Sequence, residues 1–238
     1  MVLVMLIGWN GSWVGTRLGS NPSAIASTPT STPTSIPTST PTATQAPPIL
    51  APPHRTPLPM EYRLMDIRSI APDILLDMRY ATTNNFLKQA VYSKARCLLR
   101  TPVARSIQQA QDALKAQGYG LKLYDCYRPL SIQKAMWTIF PDGRYVANPA
   151  TGSRHNRGAA VDVTLVDAQG RDLEMPSEFD DFSDRAHRNS PAMTDTARKH
   201  VQILTNALET QGLTTIESEW WHYDGPNWRH YGILNQAL

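Results

Sequence analysis

Apolar positions recur with two distinct periods along the last two thirds of the chain. Ile107, Ala110, Ala113 and Leu114 form a helical stripe within 105–117, and Gly118 and Gly120 stop it. Leu121 to Tyr124 alternates as a strand, and residues 131–140, beyond a turn at Pro129, form a second helix candidate. Ala160 to Val166 alternates over a longer run: Val161, Val163 and Leu165 share one face, and Asp162 and Thr164 point the other way. Ala197, Val201, Leu204 and Leu208 predict a helix over 194–211, closed by Gly212. Residues 214–223, rich in Thr, Ile, Trp and Tyr, read as a final strand, and DILLDMRY at 73–80 reads as the strand that opens the fold. The order mixes helix and strand without a βαβ repeat. It predicts an α+β domain, with a small antiparallel-rich central sheet flanked by helices.

None of this periodicity extends upstream of residue 60. Residues 1–21 form an apolar leader whose longest clean run, Met1 to Ile7, is too short to span a bilayer. The leader lacks the basic start of a good export signal, so it reads either as an incomplete signal or as a tail without function. Residues 22–59 form a linker, in which 18 of the 22 residues from Ser27 to Pro48 are Ser, Thr or Pro. Frequent proline forbids helix and ladder, so this segment is an extended, solvated, disordered spacer. Residues 60–238 are left as one domain large enough to bury its own core.

Charge follows the same division. All 20 acidic residues lie from Glu61 onward, and only Arg17 and Arg55 of the 23 basic residues precede it. The domain thus carries 21 basic against 20 acidic groups. That near balance argues against a nucleic-acid partner, which requires a clustered basic face. Two cysteines are too few for a disulfide scaffold or a cysteine-only zinc site.

The candidate chemistry lies with two of the six histidines. His54 falls at the linker edge and His200 on a polar helix face, both solvated positions. His155, in GSRHNRGAAVDV, enters the 160–166 strand, and Asp162 stands seven residues on. Imidazole nitrogen and carboxylate oxygen together suit zinc. The competing reading pairs Asp162 with Arg154 or Arg157. His222, in EWWH, offers a third ligand, and Glu219 a base for water on the open position. Residues three apart on a regular strand face opposite sides, so this pairing requires a bulge or turn at Trp220 and Trp221. Otherwise the tryptophans are core and Glu219 is solvated. Glu217 belongs to the surface or supports the fold. Arg128, in DCYRP, leaves a strand rigidly placed; it can stabilise an oxyanion, fork onto a carboxylate, or make a plain surface ion pair.

These residues together resemble the D-alanyl-D-alanine dipeptidases, zinc peptidases related to the LAS-type D,D-carboxypeptidases. The likeness runs from about Met65 to Asn235. It includes LDMRYATTNNF at 76–86, VYSKARCLLR at 91–100, LYDCYRP at 123–129, GSRHNRGAAVDVTL at 152–165, EMPSEFDDF at 174–182 and EWWHYD at 219–224. The resemblance implies the LAS-type fold and one zinc ion per chain held by His155, Asp162 and His222. It implies Glu219 as catalytic base and Arg128 at the carbonyl oxygen. It further implies Ser153 near the substrate carboxylate and Asp180 at the substrate ammonium, with Asp181 and Glu178 as alternatives for that last role. The family often has Met-Gly-Thr where this chain has Met175, Pro176 and Ser177, which is expected to alter a pocket wall. The implied reaction is hydrolysis of D-Ala-D-Ala to two D-alanines. The alternatives are a related zinc peptidase acting on larger peptidoglycan peptides and a wall-binding module without turnover.

Cys97 and Cys126 bracket the first long helix and the strand after it, so they form either a disulfide or two buried thiols. Leader and linker favour an exported, periplasmic or cell-envelope enzyme, near the membrane through its leader, over a cytoplasmic one. The sequence leaves the oligomeric state open.

Overall fold

The computed structural model describes Pro59 and residues 62–238. The expected leader, nearly all of the expected linker, and His54 lie outside these residues. Ten regular elements follow in order. Strand β1 (Leu64–Asp66), β2 (Leu75–Leu76) and β3 (Leu98–Arg100) lead into helix α1 (Thr101–Lys115), β4 (Tyr119–Asp125) and α2 (Leu130–Ile139). Strand β5 (Ala160–Asp167), helix α3 (Asp195–Glu209), β6 (Thr214–Ile216) and β7 (Glu219–Asp224) complete the chain.

Five strands make the central sheet in the order β2-β4-β5-β7-β6. Only β2 pairs in parallel; β4, β5, β7 and β6 run antiparallel to their neighbours. The α+β class expected from the sequence is observed, with a mixed sheet. Strands β1 and β3 form a separate antiparallel pair.

The periodic stripes become the core. Val161, Val163 and Leu165 are fully buried, as are Leu121 and Leu123 beside them. Helix α1 packs on β4, helix α3 on β5, and the two helices on each other. Their buried residues include Ile107, Ala110 and Leu114 of α1 and Val201, Leu204 and Leu208 of α3. Each large side chain so buried contributes roughly 1.5–3 kcal/mol. The Thr194 hydroxyl caps α3 by accepting the Ala197 N–H at 3.0 Å, and Gly212 (φ +82°) ends the turn that follows the helix. The other face of β5 is not solvated. Asp162 and Thr164 are nearly as buried as the apolar residues, and Asp162 lines the floor of a cavity on that face.

Three expectations are corrected. Only Leu75–Leu76 of the 73–80 segment is strand; the Asp77 N–H still reaches Leu123 O, but the chain then coils into a 3-10 turn over Arg79–Ala81. The final strand is a hairpin, β6 and β7, turning at Glu217 and Ser218. Helix α1 starts at Thr101, four residues before its apolar stripe, with Pro102 in its first turn. The two cysteines form a disulfide, Cα–Cα 5.2 Å, which joins the residue before β3 to the residue after β4.

Candidate active site

Two adjacent strands and one tight turn bring the metal candidates together. Asp162 and His222 sit in register across β5 and β7. His155 opens a 3-10 turn, His155–Arg157, closed by Gly158 at φ +66°. A Cβ at Gly158 would collide with the Leu64 side chain, so glycine is required there both by conformation and by space. His155, Asp162 and His222 are all buried, and their donor atoms lie within 4.8 Å of one another. His155 Nε2 is 3.2 Å from His222 Nδ1 and 3.3 Å from Asp162 Oδ1; His222 Nδ1 is 2.9 Å from the same oxygen. Donors about 2.0–2.2 Å from a tetrahedral ion stand roughly 3.3–3.6 Å apart, so this set fits one after opening by a few tenths of an ångström.

The far nitrogen of each ring confirms the orientation. His155 Nδ1 meets Cys126 O at 2.7 Å, and His222 Nε2 meets Asp224 Oδ1 at 3.0 Å. Each acceptor orients its ring so that the other nitrogen points inward, where it could ligate an ion. Burial opposes charge on His222, yet hydrogen bonds to Asp162 and Asp224 push its pKa up to about 10. Burial likewise opposes ionisation of Asp162, but His155 and His222 hold its carboxyl well below the usual range. The competing partners for Asp162 are engaged elsewhere: Arg154 Nε lies 3.1 Å from Asp224 Oδ2, and Arg157 Nη1 donates to Tyr231 O.

The bulge required by Glu-x-x-His is present. Thr215 pairs with Tyr223 and the next residue, Ile216, with Glu219, so three residues of β7 face none on β6. Trp220 and Trp221 are buried in the core, and Glu219 Oε2 nevertheless comes within 3.8 Å of His222 Nδ1. Desolvation raises the Glu219 pKa, and the Asp162 charge adds to it against the pull of His222. Glu217 accepts from Asn189 on the surface, and His200 Nδ1 approaches Glu174 O, as their sequence positions implied.

A cavity of about 470 Å³ opens over these groups. Arg128, Ser153 and Asp180 line it. Arg128 makes no surface pair: its guanidinium is buried, with Nη2 2.6 Å from Asp125 Oδ2, Nη1 donating to Gln133 Oε1, and the Tyr80 ring 5.0 Å away. The Ser153 hydroxyl accepts the His155 N–H at 3.1 Å and so helps to shape the turn. Asp180 takes the left-handed conformation, φ 61°, and accepts the Tyr80 hydroxyl at 3.1 Å. Desolvation and the Asp162 charge push its pKa well above the ordinary carboxylate value. Asp181 instead accepts from Ser183 N, and Glu178 is exposed. Residues 175–177 do not line the cavity; Ser177 accepts the Trp220 indole N–H behind it.

Sequence reasoning missed Asp224, Tyr80 and Asp125. Asp224 stood in EWWHYD two residues from His222, the spacing that returns a side chain to the same face of a strand. Tyr80 acts through Asp180, far away in sequence, and left no local signal, whereas Asp125 stood in DCYRP three residues before the Arg128 that it holds.

The likeness to known proteins covers the same region. The Peptidase_M15 family model, described as D-ala-D-ala dipeptidase, matches residues 60–236. A D-alanyl-D-alanine dipeptidase of Escherichia coli K12 is 36% identical over 172 residues, 72% of this chain and 89% of that protein. One from Enterococcus faecalis V583 is 30% identical over 168 residues, 62% and 83% of the two chains. Among solved structures, VanYB in complex with D-alanine-D-alanine is 15% identical at a TM-score of 0.37, covering 58% of this chain and 77% of that one. The matched span contains the His-Asp-His cluster, Glu219 and Arg128, and the chain belongs to the D-Ala-D-Ala dipeptidase family of metallopeptidases.

Proposed function

We propose that this protein hydrolyses D-alanyl-D-alanine to two D-alanines with one zinc ion held by His155, Asp162 and His222. The observation that carries this reading is the spacing of the three donor atoms, with the Glu219 carboxylate beside them. A zinc ion bound there supplies Lewis acidity toward the peptide carbonyl and acidifies water. Glu219 takes the proton from the attacking water and hands it to the departing amine. Arg128, fixed by Asp125 and Gln133, faces the negative charge that grows on the carbonyl oxygen.

Asp180 receives the substrate ammonium, with Tyr80 orienting its carboxylate. Ser153 stands at the carboxylate end. A site that recognises both termini limits the substrate to a dipeptide. A second reading, cleavage of longer peptidoglycan peptides, draws support from a neighbouring cleft of about 280 Å³ that shares Phe182, Glu219 and Trp221 with the cavity. Rates on D-Ala-D-Ala, its N-acetyl derivative and a pentapeptide ending in D-Ala-D-Ala separate the two. The dipeptide reading expects turnover of the free dipeptide alone. Comparable turnover of the pentapeptide would replace it with the second.

We also propose that the enzyme works outside the cytoplasm. The Cys97–Cys126 bond supports this, since disulfides persist in oxidising compartments. Cell fractionation with protease protection tests it; recovery of all of the protein in the cytosol would contradict it.

A further inference from the structure

The bulge in β7 turns Glu219 and His222 to one side of the sheet, and something must hold it. A bulge takes backbone carbonyls out of the ladder, and a carbonyl left without a donor in a packed hairpin favours reversion to regular pairing. One side chain donates to carbonyls on both strands of this hairpin. Arg188 lies in the loop before α3. Its Nε donates to Ile216 O at 2.9 Å, on the β6 side of the register slip. Its Nη2 donates to His222 O at 2.7 Å, the carbonyl of the metal-ligand candidate itself. Its Nη1 reaches Thr205 Oγ1 on α3 and Tyr223 Oη, and the guanidinium carbon stands 4.4 Å from the Tyr223 ring centre. The backbone joins in, with Arg188 N donating to Glu217 O at the hairpin turn.

We infer that Arg188 is a positioning residue for the metal centre: it clamps the bulged hairpin to α3 and so sets His222 and Glu219 relative to each other. The inference rests on the zinc-peptidase reading. It needs arginine and not merely a cation. The planar fork satisfies two carbonyls on different strands and two hydroxyls at once, whereas an ammonium is a single point with a different reach. Arg188 lines no part of the main cavity, so it has no direct hold on substrate.

The test compares the full-length wild type with Arg188→Lys and Arg188→Ala, each verified as folded by near-UV circular dichroism. Zinc affinity is read by competition with a chelator, and D-alanine release gives kcat and KM. Lost support for a metal ligand typically weakens metal binding by about 10- to 100-fold, and a small misplacement of a base costs turnover more than binding. We therefore expect Arg188→Lys to lose about tenfold or more in zinc affinity and in kcat, with KM for D-Ala-D-Ala within about twofold of wild type. Arg188→Ala should lose more, and the Lys variant carries the test if the Ala variant fails to fold. A folded Lys variant that is less heat-stable but equal to wild type in zinc affinity and kcat would reduce Arg188 to a structural clamp and overturn the inference alone. A wild type that neither binds zinc nor turns over would contradict the functional reading as well.

Discussion

Each imidazole at the centre spends one nitrogen on a protein acceptor and keeps the other for the interior of the cluster. That division of labour makes Asp224 testable. Asp224→Asn should weaken zinc binding by about 10- to 100-fold while leaving the fold intact, read by chelator competition. Glu219→Gln removes the proposed proton carrier and leaves the three candidate ligands untouched. It should cut kcat by about 10²- to 10⁴-fold with zinc still bound at one per chain; full activity in the pure variant would reject the assignment. Asp180 offers a pH signature. Its pKa is raised in the free enzyme, and only the ionised form attracts an ammonium. KM for the dipeptide should therefore rise as pH falls through a value above the ordinary carboxylate range. Asp180→Asn should raise KM throughout and abolish that dependence. At this scale the motifs pointed to His155, Asp162, Glu219 and His222, and the structure gathers the four into one cluster. The motifs passed over Asp125, although two of its partners, the Cys126 N–H and Arg128, stand within three residues of it and only Tyr92 is remote.

Among the elements, the long ones were legible because periodicity needs length. Strand β5 and helix α3 lie where alternation and the helical stripe placed them, and α1 buries the expected stripe although it starts earlier. Strands β1 and β3 have three residues each, too few to show any period. The bulge in β7 was legible from chemistry instead: a base and a ligand three residues apart share a side only on an irregular strand. What the sequence could not show is the device that retains it, because Arg188 comes from a loop. The disulfide is an element-scale tie as well. It closes a 29-residue separation, and Cys126 also offers its carbonyl to His155. Replacing both cysteines by serine should cost about 3 to 4 kcal/mol in the chain-entropy account, measured by denaturant unfolding. An unchanged midpoint would show that the bond contributes nothing to stability.

At the scale of the whole molecule, the core, the cavity and the family match all fall after residue 59. A fragment of residues 60–238 should therefore fold and turn over substrate with the kcat/KM of the full chain. A large loss would assign the leader or the linker a part in the site. The composition shift at residue 60 is what suggests this division, since a chain rich in Ser, Thr and Pro has little to bury. The most direct test of the account is a zinc titration of the metal-free full-length protein, followed by release of D-alanine from D-Ala-D-Ala. The account predicts no turnover without metal and a linear rise that ends at one zinc per chain. Turnover that is indifferent to zinc, or no turnover with one zinc bound, would contradict it.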